Sequence, residues 1–239
     1  MKILEFVQAV HYHDTLNPKL WSNMTLRNEV RTKLMAIAQD FVKFIALPNL
    51  KLKDITISGS NASYGYGDHS DIDLHLVVVM KDDPTLRALF DAKKNNYNFN
   101  HKITLMGIDV EVYVQDSAQT HHSAGIYSVL DNRWISKPKH IVPKISDKEV
   151  RAKARNYSSM VNKALKSDDL NTVTEVLADL KKLRQAGLDV GGEFSVENLA
   201  YKLLRARGSM DKLFRHQKKL KSQQLSLENS NEDQADHRI

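Results

Sequence analysis

Asp71 and Asp73 stand one residue apart in the run Ser70-Asp71-Ile72-Asp73-Leu74. A Gly-Ser pair, Gly59-Ser60, precedes them across a short loop rich in Gly and Asn. In an extended chain successive side chains alternate between faces, so Asp71 and Asp73 point the same way, about 6–7 Å apart along the backbone. Ile72, Leu74 and Leu76 point the other way, into a core. Like charges side by side on a rigid strand repel, and a hard divalent cation such as Mg²⁺ neutralises such a pair by oxygen coordination. A second run, from Gly107 to Val114, has the same period of two. Ile108, Val110, Val112 and Val114 share one face, and Asp109, Glu111, Tyr113 and Gln115 share the other. If the two strands lie side by side, Glu111 or Asp109 completes a three-carboxylate cluster able to hold two metals. Such a cluster serves in-line phosphoryl transfer.

Each feature alone is ordinary, since an exposed sheet face carries acids and a strand start carries solvated aspartates. Their order is more specific. A hydrophobic-Gly-Ser turn, a spacer, Asp-hydrophobic-Asp and a later acidic strand together resemble the DNA polymerase β-like nucleotidyltransferase superfamily, over roughly residues 50–116. The whole chain also resembles nucleotidyltransferase-like proteins common in tailed-phage genomes. The resemblance implies a small mixed sheet with flanking helices, and Mg²⁺-dependent transfer (with Mn²⁺ as an alternative) of a nucleotidyl group from a nucleoside triphosphate to an acceptor. Residue by residue, it matches Gly59 and Ser60 to the phosphate-contacting turn and Asp71 and Asp73 to the first two metal ligands. It matches Glu111 to the third, because the apolar run Val112-Tyr113-Val114 follows directly; Asp109 is the reserve.

Other residues carry weaker signals. His75 shares the face of Asp71 and Asp73, but an ordinary polar sheet residue is the better reading. His69 and the pair His121-His122 read as loop residues. Tyr64 and Tyr66 are candidates for stacking on a base, with packing against the turn as the bland alternative. Gly65-Tyr66-Gly67 is no dinucleotide fingerprint; its glycines let the loop turn.

The elements that must position these residues follow from periodicity. Leu26, Val30, Leu34, Ile37, Phe41 and Ile45 form one stripe of a first helix, closed by Pro48. Strands are expected over 53–58 and 71–80. Asp83-Pro84 starts a helix whose buried side is Leu86, Leu89 and Phe90. A hairpin around Met106-Gly107 joins 99–105 to 108–115. Tyr127, Val129, Leu130 and Trp134 indicate a short buried element ahead of a linker at 137–143. From Ser146 the pattern turns helical. Ser146-Asp147-Lys148-Glu149 is a capping box, and further helices are expected to stop at Gly187, to start at Ser195 and to start at Ser209. The fold class is thus α+β: a mixed-sheet catalytic domain over 1–145, a helical module over 146–221, and a disordered tail over 222–239.

Bulk composition bounds the rest. Hydrophobic content of 41% and charged content of 27% over 239 residues fit a globular chain with ample core. No apolar stretch approaches the roughly 20 residues that span a bilayer, and the N-terminal residues lack the pattern of a secretory signal. Cysteine is absent, which excludes disulfides and thiolate metal sites and fits a cytoplasmic protein. The net charge of +6 and pI near 9.3 favour anionic partners. Eight cations lie between Lys202 and Lys221, opposed only by Asp211, and they tilt the acceptor towards RNA or another nucleic acid. Lys181, Lys182 and Arg184 are further candidates to face a triphosphate, with a solvated basic face as the better reading. Two other readings remain: a catalytically inactive nucleotide- or RNA-binding module, and a toxin–antitoxin component.

Overall fold

The computed structural model describes residues 12–67, 70–81, 83–119, 123–140 and 146–226. His69, the pair His121-His122 and the tail from residue 227 lie outside them. The chain is α+β and divides near residue 143 into two compact units.

Among the described residues of the first unit, the earliest elements are a two-stranded ribbon, β1 (Trp21–Ser22) and β2 (Thr25–Leu26), and helix α1 (Asn28–Ile45). Val30, Leu34, Ala38, Phe41 and Ile45 recur every three or four residues and are buried. The helix ends where Ala46 adopts a left-handed conformation, two residues before Pro48. Strands β3 (Leu52–Ser58) and β4 (Ile72–Val78) are joined through a single 3₁₀ turn at Ser60–Ala62. Helix α2 (Pro84–Asn100) starts as expected: Asp83 accepts from the amides of Thr85 and Leu86, and Pro84 occupies the first turn. Strands β5 (Thr104–Leu105), β6 (Ile108–Asp116), β7 (Ile126–Ser128) and β8 (Arg133–Ser136) follow. The six-stranded order is β5-β6-β4-β3-β7-β8, with only the β4–β6 pair parallel, so the sheet is mixed. Ile72, Leu74, Leu76 and Val78 alternate inward and pack with Phe41, Phe90 and Tyr97 in one core.

Three expectations need correction here. The hairpin is much shorter on its first side, because α2 runs on through Asn100 and leaves Phe99 in solvent, 89% exposed. Buried Tyr97, whose hydroxyl bonds Asp40, anchors that last turn. Leu89 is exposed; Phe90 is buried as expected, and Tyr97 joins it. Residues 126–136 are two sheet strands rather than one short buried element; Trp134 stacks on Trp21 with centroids 4.8 Å apart and donates to the Met24 carbonyl. The turn Met106-Gly107 is as expected: both residues have positive φ, as a two-residue hairpin loop requires.

The second unit holds α3 (Asp147–Ala164), α4 (Leu170–Gly191), a 3₁₀ turn at Gly192–Phe194, α5 (Val196–Ala206) and α6 (Ser209–Leu225). Ser146, Asp169 and Ser195 cap their helices through side-chain oxygens. Gly187 does not stop α4. It lies buried inside the helix, where a Cβ would collide with Glu197 and Ser195, so the glycine permits a close crossing. Ser209 is not a cap either: Gly208, in the left-handed region, precedes α6, and no side chain caps it. Helix α6 continues to Leu225, past the expected end of the module at Lys221. Among the described residues no helix is long and apolar enough to cross a membrane.

Candidate active site

Strands β4 and β6 run parallel with Asp73 opposite Glu111 and His75 opposite Tyr113. Adjacent strands lie about 4.8 Å apart, so Asp73 and Glu111 are direct neighbours. Both are half-buried, on the face away from the buried Ile72, Leu74, Val110 and Val112. On the other side of β4, β3 sets Ser58 opposite Asp73. Asp71 lies one residue ahead of β4. Asp109 occupies the exposed start of the same β6 face, paired with Thr104 of β5.

Tyr113 ties the acids together. Its hydroxyl donates to Glu111 Oε2. Burial, first, raises its phenol well above the ordinary tyrosine range; the hydrogen bond to Glu111 and the charges of Asp73, Glu111 and Asp71 add to this. Asp71, Asp73 and Glu111 therefore all bear on one phenol. Oxygen donors of this kind suit a hard divalent cation. Among the described residues, however, no group of three or more His, Asp or Glu side chains is arranged to hold a metal ion, and one oxygen of Glu111 is engaged by Tyr113.

A polar layer backs this face. The His75 ring stacks on Tyr113, with centroids 5.1 Å apart, and His75 Nε2 lies 3.1 Å from Ser58 Oγ. The Lys94 ammonium stands 5.3 Å from the Tyr113 ring centre. These contacts give His75 a structural partner set.

The Gly59-Ser60 turn is built against Asp73. Gly59 has φ +74° and ψ −160°, a region open essentially to glycine, and a Cβ there would overlap Asp73 Oδ2. Its amide donates to Ser123 Oγ. Ser60 Oγ donates to Ser70 Oγ at 2.9 Å, and Ser70 Oγ also accepts from the Gly67 amide. Asn61, 1% exposed, then secures the strand entry: its amide group donates to the carbonyls of Ser70 and Asp71 and its oxygen accepts from Asn17. The loop between turn and acids is thus closed by side-chain bonds at both ends.

Asn61, Tyr113 and Asn98 were not singled out for these roles from sequence. Asn98 bonds both the amide and the carbonyl of Val112. The only signal for Asn61 is a buried-size amide next to a Gly-Ser turn. Tyr64 and Tyr66 pack within the unit, Tyr66 stacked on His13 at 3.8 Å and Tyr64 edge-on to His140. In the second unit, Arg184 bonds Asn198 and lies over the Tyr201 ring, while Lys181 lies 6.0 Å from the Phe214 ring centre.

No protein-family model and no curated protein matches this chain. Among solved structures, the STING-associated CdnE c-di-GMP synthase from Capnocytophaga granulosa aligns over 83% of this chain and 83% of its own. The identity is 14% and the TM-score 0.24, and a likeness of that size decides neither fold nor function.

Proposed function

We propose that this chain is a metal-dependent nucleotidyltransferase that moves a nucleotidyl group from a nucleoside triphosphate to an acceptor and releases pyrophosphate. The observation that supports it most is the register pair Asp73–Glu111, with the glycine turn pressed against Asp73. In this reading Asp71, Asp73 and Glu111 hold Mg²⁺ or Mn²⁺, with Asp109 in reserve. The bound cation would supply charge neutralisation along the triphosphate. Gly59 and Ser60 receive the β- and γ-phosphates, the Ser60 hydroxyl turning from Ser70 to the phosphate as a donor. The acceptor oxygen attacks the α-phosphorus; the new P–O bond forms as the bond to pyrophosphate breaks. Positioning and electrostatics are most of what this reaction asks of a protein. A nucleic-acid 3′ hydroxyl is the favoured acceptor, given the basic surplus of the chain, and the absence of cysteine favours a cytoplasmic setting.

A second reading, a module that holds nucleotide or RNA without turnover, draws on the engagement of Glu111 by Tyr113 and on the lack of a converged ligand group among the described residues. One experiment separates the two. The protein is incubated with Mg²⁺, each α-labelled triphosphate and total RNA, and the products are weighed by mass spectrometry. Labelled acceptor plus pyrophosphate supports transfer; triphosphate binding with neither product supports the second reading.

A further inference from the structure

The second unit carries seventeen lysines and arginines against ten carboxylates between residues 146 and 226. Measured against a net charge of +6 for the whole chain, that surplus leaves the rest of the sequence close to neutral. Within the unit a few cations have a partner. Arg151 pairs with Asp147 at 2.6 Å and Lys153 with Glu197 at 3.0 Å. Arg184 is bonded to Asn198, and Lys181 lies near Phe214.

One group differs. An open cavity of about 470 Å³ is lined by the cations Arg155, Lys163, Lys166 and Arg207. The remaining lining is Ser158, Ser159 and Asn162, short side chains that donate hydrogen bonds. No carboxylate lines it. Among the described residues, none of these side chains has a hydrogen-bond or ion-pair partner within the chain. The residues from Arg155 to Lys166 recur at helical spacing on α3 and the turn after it, opposite the stripe Ala154, Tyr157, Val161 and Ala164 that the helix buries. Their span is roughly 16 Å at 1.5 Å per residue. Arg207 joins them from the end of α5.

We infer that this groove binds the phosphodiester backbone of a nucleic-acid strand. Unpaired cations without a neighbouring acid select an anion, and hydroxyl and amide donors among them suit phosphate oxygens. A compact site for one phosphate would gather its cations around a buried point; here all four are exposed, with Arg155, Lys163 and Lys166 strung along α3 and the turn after it. No aromatic side chain lines the groove, so bases find no stacking surface and recognition runs through the backbone, independent of sequence. Of the eight cations between Lys202 and Lys221, Arg207 alone lines it. The inference stands apart from the chemistry of the acid cluster, which lies in the first unit.

The test is fluorescence anisotropy of the full chain with labelled RNA and DNA strands of mixed sequence. With four phosphates neutralised, affinity should fall roughly fifty-fold between about 50 and about 200 mM salt, from a slope of ~0.7 per phosphate on single strands. The quadruple variant R155Q/K163Q/K166Q/R207Q should lose most of that slope. The matched variant R215Q/K218Q/K219Q/K221Q, on α6, should keep it. Equal losses in both variants would overturn the inference in favour of diffuse charge. Displacement of RNA by tripolyphosphate at equal phosphate concentration would overturn it in favour of a small polyanion. Sedimentation with phosphatidylserine vesicles that depends on the same four residues would overturn it in favour of a membrane surface. Should the quadruple variant melt early, K163Q and K166Q singly should each lower the slope by about 0.7, and an unchanged slope in both would overturn it.

Discussion

Asp73 and Glu111 sit side by side on parallel strands, so neutralising either relieves repulsion and removes an oxygen donor in the same stroke. Asp73→Asn and Glu111→Gln should each lower nucleotidyl transfer at least about a hundredfold, the scale seen when one electrostatic contact to a transition state is lost. The melting temperature of the metal-free protein should hold or rise. Asp109→Asn should retain activity, because Asp109 is exposed and paired with β5 rather than with β4. The opposite ranking in steady-state assays would move the third ligand two residues upstream. At this scale the acids were readable because a period of two assigns faces without any knowledge of neighbours. Tyr113 could be put on the acid face by the same count, but its bond to Glu111 depends on rotamers that no spacing encodes. Asn61 was not readable: its partners Asn17, Ser70 and Asp71 come together only once the ribbon, the turn and the strand have met.

Among the elements, β6 presents a sheet edge that β5 covers for only two residues. Asn98 of α2 takes over, bonding both backbone groups of fully buried Val112. Asn98→Ala leaves both groups without a partner and should cost about 1–3 kcal/mol in a chemical-denaturation measurement. The helical unit offers a pH-dependent counterpart. A hydrogen bond from Lys153 holds Glu197 below the usual carboxylate range, and the Thr172 hydroxyl, followed by backbone amides, does the same for Asp169. A depressed carboxylate contributes its full stabilisation above its unfolded pKa and loses it as pH falls through the folded one. Glu197→Gln should therefore lower the melting temperature near neutrality and converge on the wild type in acid, so that the decline flattens; an acid limb as steep as the wild type's would remove that pair from the account. The long elements α1, α3 and α4 were legible from their stripes, and the start of α3 from its cap. The end of α2, and β7 with β8, were not, because Tyr97, Tyr127 and Trp134 owe their burial to partners far along the chain.

For the molecule as a whole, a triphosphate that binds only the folded state adds stability by mass action. At a hundredfold excess over its dissociation constant the gain is about 2.7 kcal/mol. In a chain of this size that corresponds to a rise in melting temperature of several degrees. The rise should require Mg²⁺ and should vanish in Asp73→Asn. A shift of equal size without divalent cation would separate nucleotide binding from the acid cluster. The division into a sheet unit and a helical unit was visible in the sequence as a change of period at Ser146, since the capping box and the switch from alternation to helical spacing coincide there.

The tight seat of Gly59 against Asp73 has a further consequence, for how such a chain could change over generations. Backbone conformation and the Asp73 carboxylate independently forbid a side chain at position 59, so the turn and the acid are locked into a shared history. Gly59→Ala should be destabilising by about 1–3 kcal/mol from the backbone alone, with an added steric cost. Gly59→Ala combined with Asp73→Ala should recover the steric share and leave the backbone share. A double-mutant cycle measures that coupling, and strictly additive losses would show the two positions to be independent. Because the backbone share persists without Asp73, a descendant would be free to change residue 73 before residue 59, and the glycine would outlast the acid.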